Sequence, residues 1–173
     1  MGYSYELRLK DIDEDYPTEL ETKDVAAYLS QLKAVPFKSE LREDEILLTA
    51  DTIVRINNKI LGKPKDKEDA ILILKTLSNN CHIVTSGVSL TTKMWQKTFS
   101  VDTKVFFDKL SDSEIEWYLN KFKPYDKAGA YGIQEWIGYI GIKKIEGSYY
   151  NVMGLPCQAI YSMLKLNNIK IKL

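Results

Sequence analysis

The chain has 173 residues, 45% of them apolar, which suits one domain with a packed interior and excludes a disordered chain. Lysine plus arginine equal aspartate plus glutamate at 24 each, so the formal net charge is zero. A generally basic surface for a nucleic acid polymer or an anionic membrane is thereby excluded, whereas a local basic pocket is not. Tyr5 to Leu9 alternates and predicts a strand, followed by the acidic loop Asp11-Ile12-Asp13-Glu14-Asp15. Thr22 is placed to cap a helix through Lys33, with Val25, Ala26, Leu29 and Leu32 on one face. Ile46 to Ile56 reads as a strand, and Asn57-Asn58 as a hairpin turn before Ile60-Leu61. Asp66 caps a helix through Thr76, with Ala70, Ile73, Leu74 and Leu77 inward. His82 to Thr91 and Phe99 to Phe107 form a strand pair about a turn near Lys93 to Gln96. Ser111 and Glu114 make a capping box for a helix to about Lys121. Ile137 to Ile145 is strand-like, Pro156 suits the first turn of a last helix to about Leu166, and Ile169 to Leu173 reads as a terminal strand. Strands and helices mix without strict βαβ alternation, so the expected fold is a single α/β domain over residues 1–173, with a central mixed, twisted sheet flanked by helices.

No apolar run approaches the length of a membrane span, and the N-terminus as given shows no signal-peptide pattern. A cytoplasmic protein is expected. Cys81 and Cys157 lack metal-ligand spacing and read as free, buried thiols. His82 is the only histidine, which rules out a His-based triad or a His-rich zinc site by counting, and it reads as structural.

The richest segment is Asp126-Lys127-Ala128-Gly129-Ala130-Tyr131-Gly132-Ile133-Gln134. It follows the break at Pro124. Two glycines let the backbone turn sharply or approach a ligand, and a cation, an anion and an amide stand close together. Three other segments precede or follow it: Ala50-Asp51-Thr52-Ile53-Val54, Gly62-Lys63-Pro64 and Gly154-Leu155-Pro156. In this order and spacing the four resemble the Maf family of nucleotide pyrophosphatases, also called septum-formation inhibitor proteins, over nearly the whole chain.

The resemblance implies a Maf/inosine-triphosphatase-like fold and a cytosolic enzyme. Its reaction is cleavage of a nucleoside triphosphate to the monophosphate and pyrophosphate with a divalent metal, Mg²⁺ or Mn²⁺. Relatives often pair as homodimers. Family members open with a strand and a Ser-x-Ser-Pro-Arg-Arg loop that contributes to the phosphate site. This chain begins Met1-Gly2-Tyr3-Ser4 at the place where the family's first helix has ended. The expectation is that this strand and loop are missing, through truncation, a misassigned start or a shortened protein, and that activity depends on them.

Several residues carry the expected chemistry. Asp51 follows a strand that reads as buried, so it is either near a strand end or paired; it is a structural carboxylate or, by the resemblance, binds the metal or activates the attacking water. Glu14, in an acidic loop that otherwise reads as solvated, matches the family acid that faces the metal; an oxygen-rich set suits a hard ion. Lys33, Lys63 and Lys127 are the candidate phosphate ligands, since a triphosphate needs cations around it. Lys63 has its backbone framed by Gly62 and Pro64, whereas Lys33 also relieves a helix dipole. Thr52 and Gln134 are the candidate base readers, because an amide can pair with the edge of uracil or thymine. Asp-Thr with Gly-Ile-Gln looks like the branch of the family acting on dTTP and UTP, with modified pyrimidine triphosphates as further substrates and clean-up of nucleotide pools as the role. Glu135 follows Gln134 where many relatives have glycine. Trp117 and Tyr118 read as core or interface, and Trp136 is placed to shield the loop. Two other functions compete: a nucleotide-binding regulatory protein of cell division with weak turnover, and an inosine-triphosphate-type house-cleaning enzyme, which shares the chemistry without these motifs.

Overall fold

The computed structural model describes residues 1–169. Five strands run in the order β2-β1-β3-β4-β5: β1 (Leu47–Ile56), β2 (Lys59–Leu61), β3 (Cys81–Thr91), β4 (Gln96–Phe107) and β5 (Ile142–Glu146). All four pairings are antiparallel, where a mixed sheet was expected. The helix Lys67–Leu77 (α2) does join two strands of the same direction, as in a parallel crossover, but those strands are β2 and β3, and β1 lies between them. Chain order alone does not show which strands become neighbours. The α/β domain with helices flanking one sheet is otherwise as expected.

Local chemistry accounts for most boundaries. Asn57 and Asn58 take φ of 48° and 60°, the left-handed pair that a two-residue hairpin needs and that asparagine tolerates, and Ile56 pairs with Lys59 across it. The Asp66 carboxylate accepts from the Asp69 N–H and caps α2. Ser111 and Glu114 close the capping box of α3 (Asp112–Phe122). The first helix, α1 (Val25–Ala34), begins after Asp24 rather than Thr22, with no side-chain cap. Ile137 to Ile145 divides into α4 (Trp136–Gly141) and β5, because Gly138 and Gly141 break the apolar run and the Gly138 N–H bonds back to the Glu135 carbonyl. A short helix α5 (Tyr149–Val152) capped by Ser148 precedes α6 (Cys157–Leu166).

The strand expected over Tyr5 to Leu9 does not form. Tyr5, Leu7 and Leu9 are 90%, 75% and 83% exposed, and side-chain contacts hold the segment, among them Arg8 to Glu45 at 2.8 Å. Alternation is present, but a strand also needs a partner to pair its backbone. The terminal strand expected over Ile169 to Leu173 lies outside the described residues beyond Ile169. Cys81 is exposed and Cys157 half-buried, against the expected burial; both are free. Cys81 is the first residue of β3.

The two faces of β1 serve different layers. Thr49, Asp51 and Ile53 face α1, and Leu48, Ala50 and Val54 face the opposite clusters, the period of two that a strand imposes. Helix α1 lies so close over β3 that a Cβ on Gly87 would come within 2.2 Å of the Ala26 carbonyl carbon. The main core gathers Val54, Leu74, Leu77, Val84, Phe107, Tyr118, Tyr131 and Ile137 between the sheet, α2, α3 and the segment after Lys127.

Candidate active site

Three of the residues singled out from sequence converge. The Lys33 ammonium, at the end of α1, lies 2.6 Å from Asp51 Oδ1 and 2.8 Å from Glu14 Oε1. Asp51 is well shielded, its side chain 10% exposed, while Glu14 stands nearer the solvent. Burial works against the charge on Lys33, but the bonds to Asp51 and Glu14 outweigh it and hold its pKa above the ordinary lysine value. The Lys33 bond is the main reason that Glu14 titrates below the usual carboxylate range; the charges of Lys33 and Lys63 add to it and burial opposes it.

Lys63 joins this cluster to a second one. Its charge is felt at Glu14 and also at Asp126, whose pKa is lowered first of all by its bond to Lys127. The Gly129 N–H donates to the Gly62 carbonyl at 3.1 Å, which staples the richest segment to the residue before Lys63. Gly129 has φ of 72°, and a Cβ there would stand 3.0 Å from Val54, so the turn needs glycine for both conformation and space. Lys127 donates to Asp126 at 3.0 Å and lies 3.3 Å from Glu135 Oε1.

Asp51 and Thr52 point to opposite faces of β1. The Thr52 hydroxyl donates to the Gly154 carbonyl at 3.2 Å and lies 2.7 Å from the Ser86 hydroxyl. Strand β2 pairs only with Val54 to Ile56, so from Leu47 to Ile53 this side of β1 is an edge among the described residues. A ligand lying across that edge meets the carboxylate on one face and the hydroxyl on the other. Gln134 is exposed; its carbonyl accepts from Tyr139, and its side-chain amide has no hydrogen bond among the described residues. Thus Glu14, Lys33 and Asp51 are brought into contact and the charge of Lys63 reaches Glu14, whereas Lys127 belongs to the second cluster, and Thr52 and Gln134 are not in contact with the first among the described residues.

His82 is buried, with Nε2 2.7 Å from the Tyr131 hydroxyl, and burial pushes its pKa down to about 4. It is therefore a neutral prop beneath the Gly129–Gly132 turn, in line with its structural reading. Two residues with a place in this region went unread in sequence. Glu135 reads from sequence only as a departure, and Tyr118 only as core or interface. A buried tyrosine hydroxyl nearly always has a polar partner, and that was the signal available. Two concavities of about 310 and 290 Å³ lie elsewhere, one at the Thr91–Gln96 turn and one beside Arg55 and Lys104.

These features define a small α/β domain in which two clusters of lysines and carboxylates form from a helix end, the strand β1 and loops. The chain belongs to the Maf family: the family model for Maf-like proteins matches residues 1–167. The chain is 50% identical over 166 residues to a dTTP/UTP pyrophosphatase of Bacteroides thetaiotaomicron, covering 95% of this chain and 86% of the relative. A protein of the same name from Flavobacterium johnsoniae is 50% identical over 164 residues, covering 95% and 84%. Another from Porphyromonas gingivalis is 48% identical over 159 residues, covering 91% and 80%.

Proposed function

We propose that this protein hydrolyses nucleoside triphosphates, dTTP and UTP foremost, to the nucleoside monophosphate and pyrophosphate. The observation that carries the reading is the pairing of Asp51 and Glu14 on one lysine, with Lys63 near enough for its charge to reach both Glu14 and Asp126. The name shared by the relatives supports the substrate. In the reaction water adds to the α-phosphorus, the bond from that phosphorus to the α,β-bridging oxygen breaks, and pyrophosphate leaves with that oxygen. The proton of the attacking water goes to Asp51, the best shielded carboxylate of the cluster. Lys33 and Lys63 place positive charge where the leaving pyrophosphate gains negative charge, and Lys127 binds the phosphates alike in the bound substrate and the transition state. An arriving triphosphate offers Lys33 competing oxygens and so frees Asp51 to take the proton. Gln134 presents an amide to the pyrimidine edge, and Thr52 lines the other face of the same sheet edge.

Glu14 and Asp51 are the residues that would hold a divalent cation. Among the described residues no three His, Cys, Asp or Glu converge. Two carboxylates that already share one positive charge, completed by substrate phosphate oxygens, are nevertheless a donor set that suits Mg²⁺ or Mn²⁺. Such an ion supplies charge neutralisation at the phosphates. The same reading includes action on modified pyrimidine triphosphates as clean-up of the nucleotide pool, a cytoplasmic location and a homodimer. No helix among the described residues is long and apolar enough to cross a membrane.

The test is pyrophosphate release from dTTP, UTP, dCTP, dATP, GTP and modified pyrimidine triphosphates, after chelation and with Mg²⁺ or Mn²⁺ restored. The reading expects the highest kcat/KM for dTTP and UTP, and dependence on the restored ion. No release from any triphosphate overturns the function, and a purine preference overturns the base assignment alone. Sedimentation analysis reads the oligomeric state.

A further inference from the structure

Tyr118 sits fully buried in the middle of α3, between the apolar Ile115 and Leu119. Its hydroxyl accepts from the Gly132 N–H at 3.1 Å and donates to Glu135 Oε2. The other oxygen of the same carboxylate, Oε1, faces the Lys127 ammonium at 3.3 Å. The Glu135 side chain is only 16% exposed and that of Lys127 27%. Asp126, the second partner of Lys127, is 75% exposed, so Glu135 is the partner held in place. A Cβ on Gly132 would stand 3.0 Å from Glu135 Cδ and 3.2 Å from Lys127 Cε; these two side chains fill the space that this glycine leaves.

We infer that Glu135 is a positioning residue for Lys127: its carboxylate is a strut from the buried Tyr118 hydroxyl to the ammonium, and it holds the Asp126–Gln134 segment in the shape that receives the phosphates. The inference rests on the nucleoside triphosphate reading above. Exposed ion pairs contribute little, because water screens them and two long side chains must be ordered. Here one partner is already fixed by a hydrogen bond into the core, so less order is lost when Lys127 is held. Charge supports the same picture. Burial works against the charge on Lys127, yet Asp126 and Glu135 together hold its pKa above the ordinary lysine value. The strut also ends one residue after Gln134, so it fixes the backbone from which the exposed amide projects.

The experiment compares the wild type with Glu135→Gln, Tyr118→Phe, Lys127→Ala and the Glu135→Gln/Lys127→Ala double variant. Three quantities are measured: pyrophosphate release from dTTP, calorimetric binding of a dTTP analogue with a non-hydrolysable α,β bridge, and thermal melting. Glutamine keeps an acceptor for Tyr118 and loses the charge. Loss of one charge-assisted contact is expected to raise KM, and weaken analogue binding, about tenfold, with kcat nearly unchanged. Tyr118→Phe moves the same quantities less. In the Lys127→Ala background, Glu135→Gln adds nothing further, because the residue it positions is gone. Wild-type affinity in Glu135→Gln while Lys127→Ala weakens, or an equal loss in both backgrounds, overturns the strut. A lowered melting temperature with kcat and KM changing alike marks a structural role and overturns it too. A wild type that neither binds the analogue nor releases pyrophosphate overturns the function reading, and the inference with it.

Discussion

Two charged clusters both feel the charge of Lys63, and each is one lysine between two carboxylates. In the first, Glu14 and Asp51 meet Lys33 on rigid elements, the end of α1 and the middle of β1, with α1 pressed onto β3 at Gly87. In the second, Asp126 and Glu135 meet Lys127 on a turn that contains left-handed residues at Gly129 and Ala130. The turn is kept in shape from below, by Tyr131 on His82 and by Tyr118 on Glu135. Among the described residues the carboxylates of the first cluster bind the lysine alone, so a ligand that takes Lys33 sets them free. One carboxylate of the second is already committed to the core. On the proposed function the first exchanges partners and the second holds a shape. Proton transfer suits the one and ligand placement the other.

The comparison breaks most sharply at Asp51. Asp51→Asn should lower kcat for pyrophosphate release about 10²–10⁴-fold, with the melting curve and circular dichroism spectrum retained; wild-type turnover would remove Asp51 from the chemistry. Acid should break the support of the second cluster. The unfolded chain protonates its histidine near the ordinary value of 6.5, the folded chain only at about 4. Between these values the unfolded state binds the extra proton. Stability that is fully present above about pH 6.5 is therefore lost as pH falls, by roughly 3 kcal/mol at pH 4. Urea melts over that range should show the loss, and the slope should shrink in His82→Gln; equal slopes would remove His82 as the cause.

Gly87→Ala tests the scaffold of the first cluster. A methyl group against the Ala26 backbone has to lift α1, at a cost of about 1–3 kcal/mol. Chemical denaturation reads that cost, and kcat should fall as Lys33 moves from Asp51, whereas an unchanged midpoint would mean that the helix yields freely. Gln134→Glu sharpens the reading of the second cluster. It exchanges an amide for a charge against a carbonyl edge, and mispaired polar contacts cost about 1–3 kcal/mol. The kcat/KM for dTTP and UTP should fall more than that for purine triphosphates; equal losses would remove Gln134 as the base reader.

Periodicity and capping residues were enough for most elements. The Asn57-Asn58 turn, the Asp66 cap and the Ser111–Glu114 box act within a few residues of themselves, so their signals lie in the local sequence. The same holds for the four motifs, whose order and spacing pointed to the family. The failures have two causes, one long-range and one local. Tyr5 to Leu9 alternates like a strand, but among the described residues no backbone pairs with it. Ile137 to Ile145 is apolar enough for a strand, yet the glycines and their backbone bonds divide it. Strand direction around β1 followed from which elements became neighbours, a long-range matter that no window of sequence contains. The sequence by itself determined which residues could bear charge, turn or cap, because these are properties of side chains and near neighbours. Only the tertiary structure decided that Lys33 holds two carboxylates 37 residues apart, that Asp51 and Thr52 serve opposite faces of one edge, and that Glu135 reaches a buried tyrosine hydroxyl. Those relations depend on distances between segments far apart in the chain, and packing sets these distances.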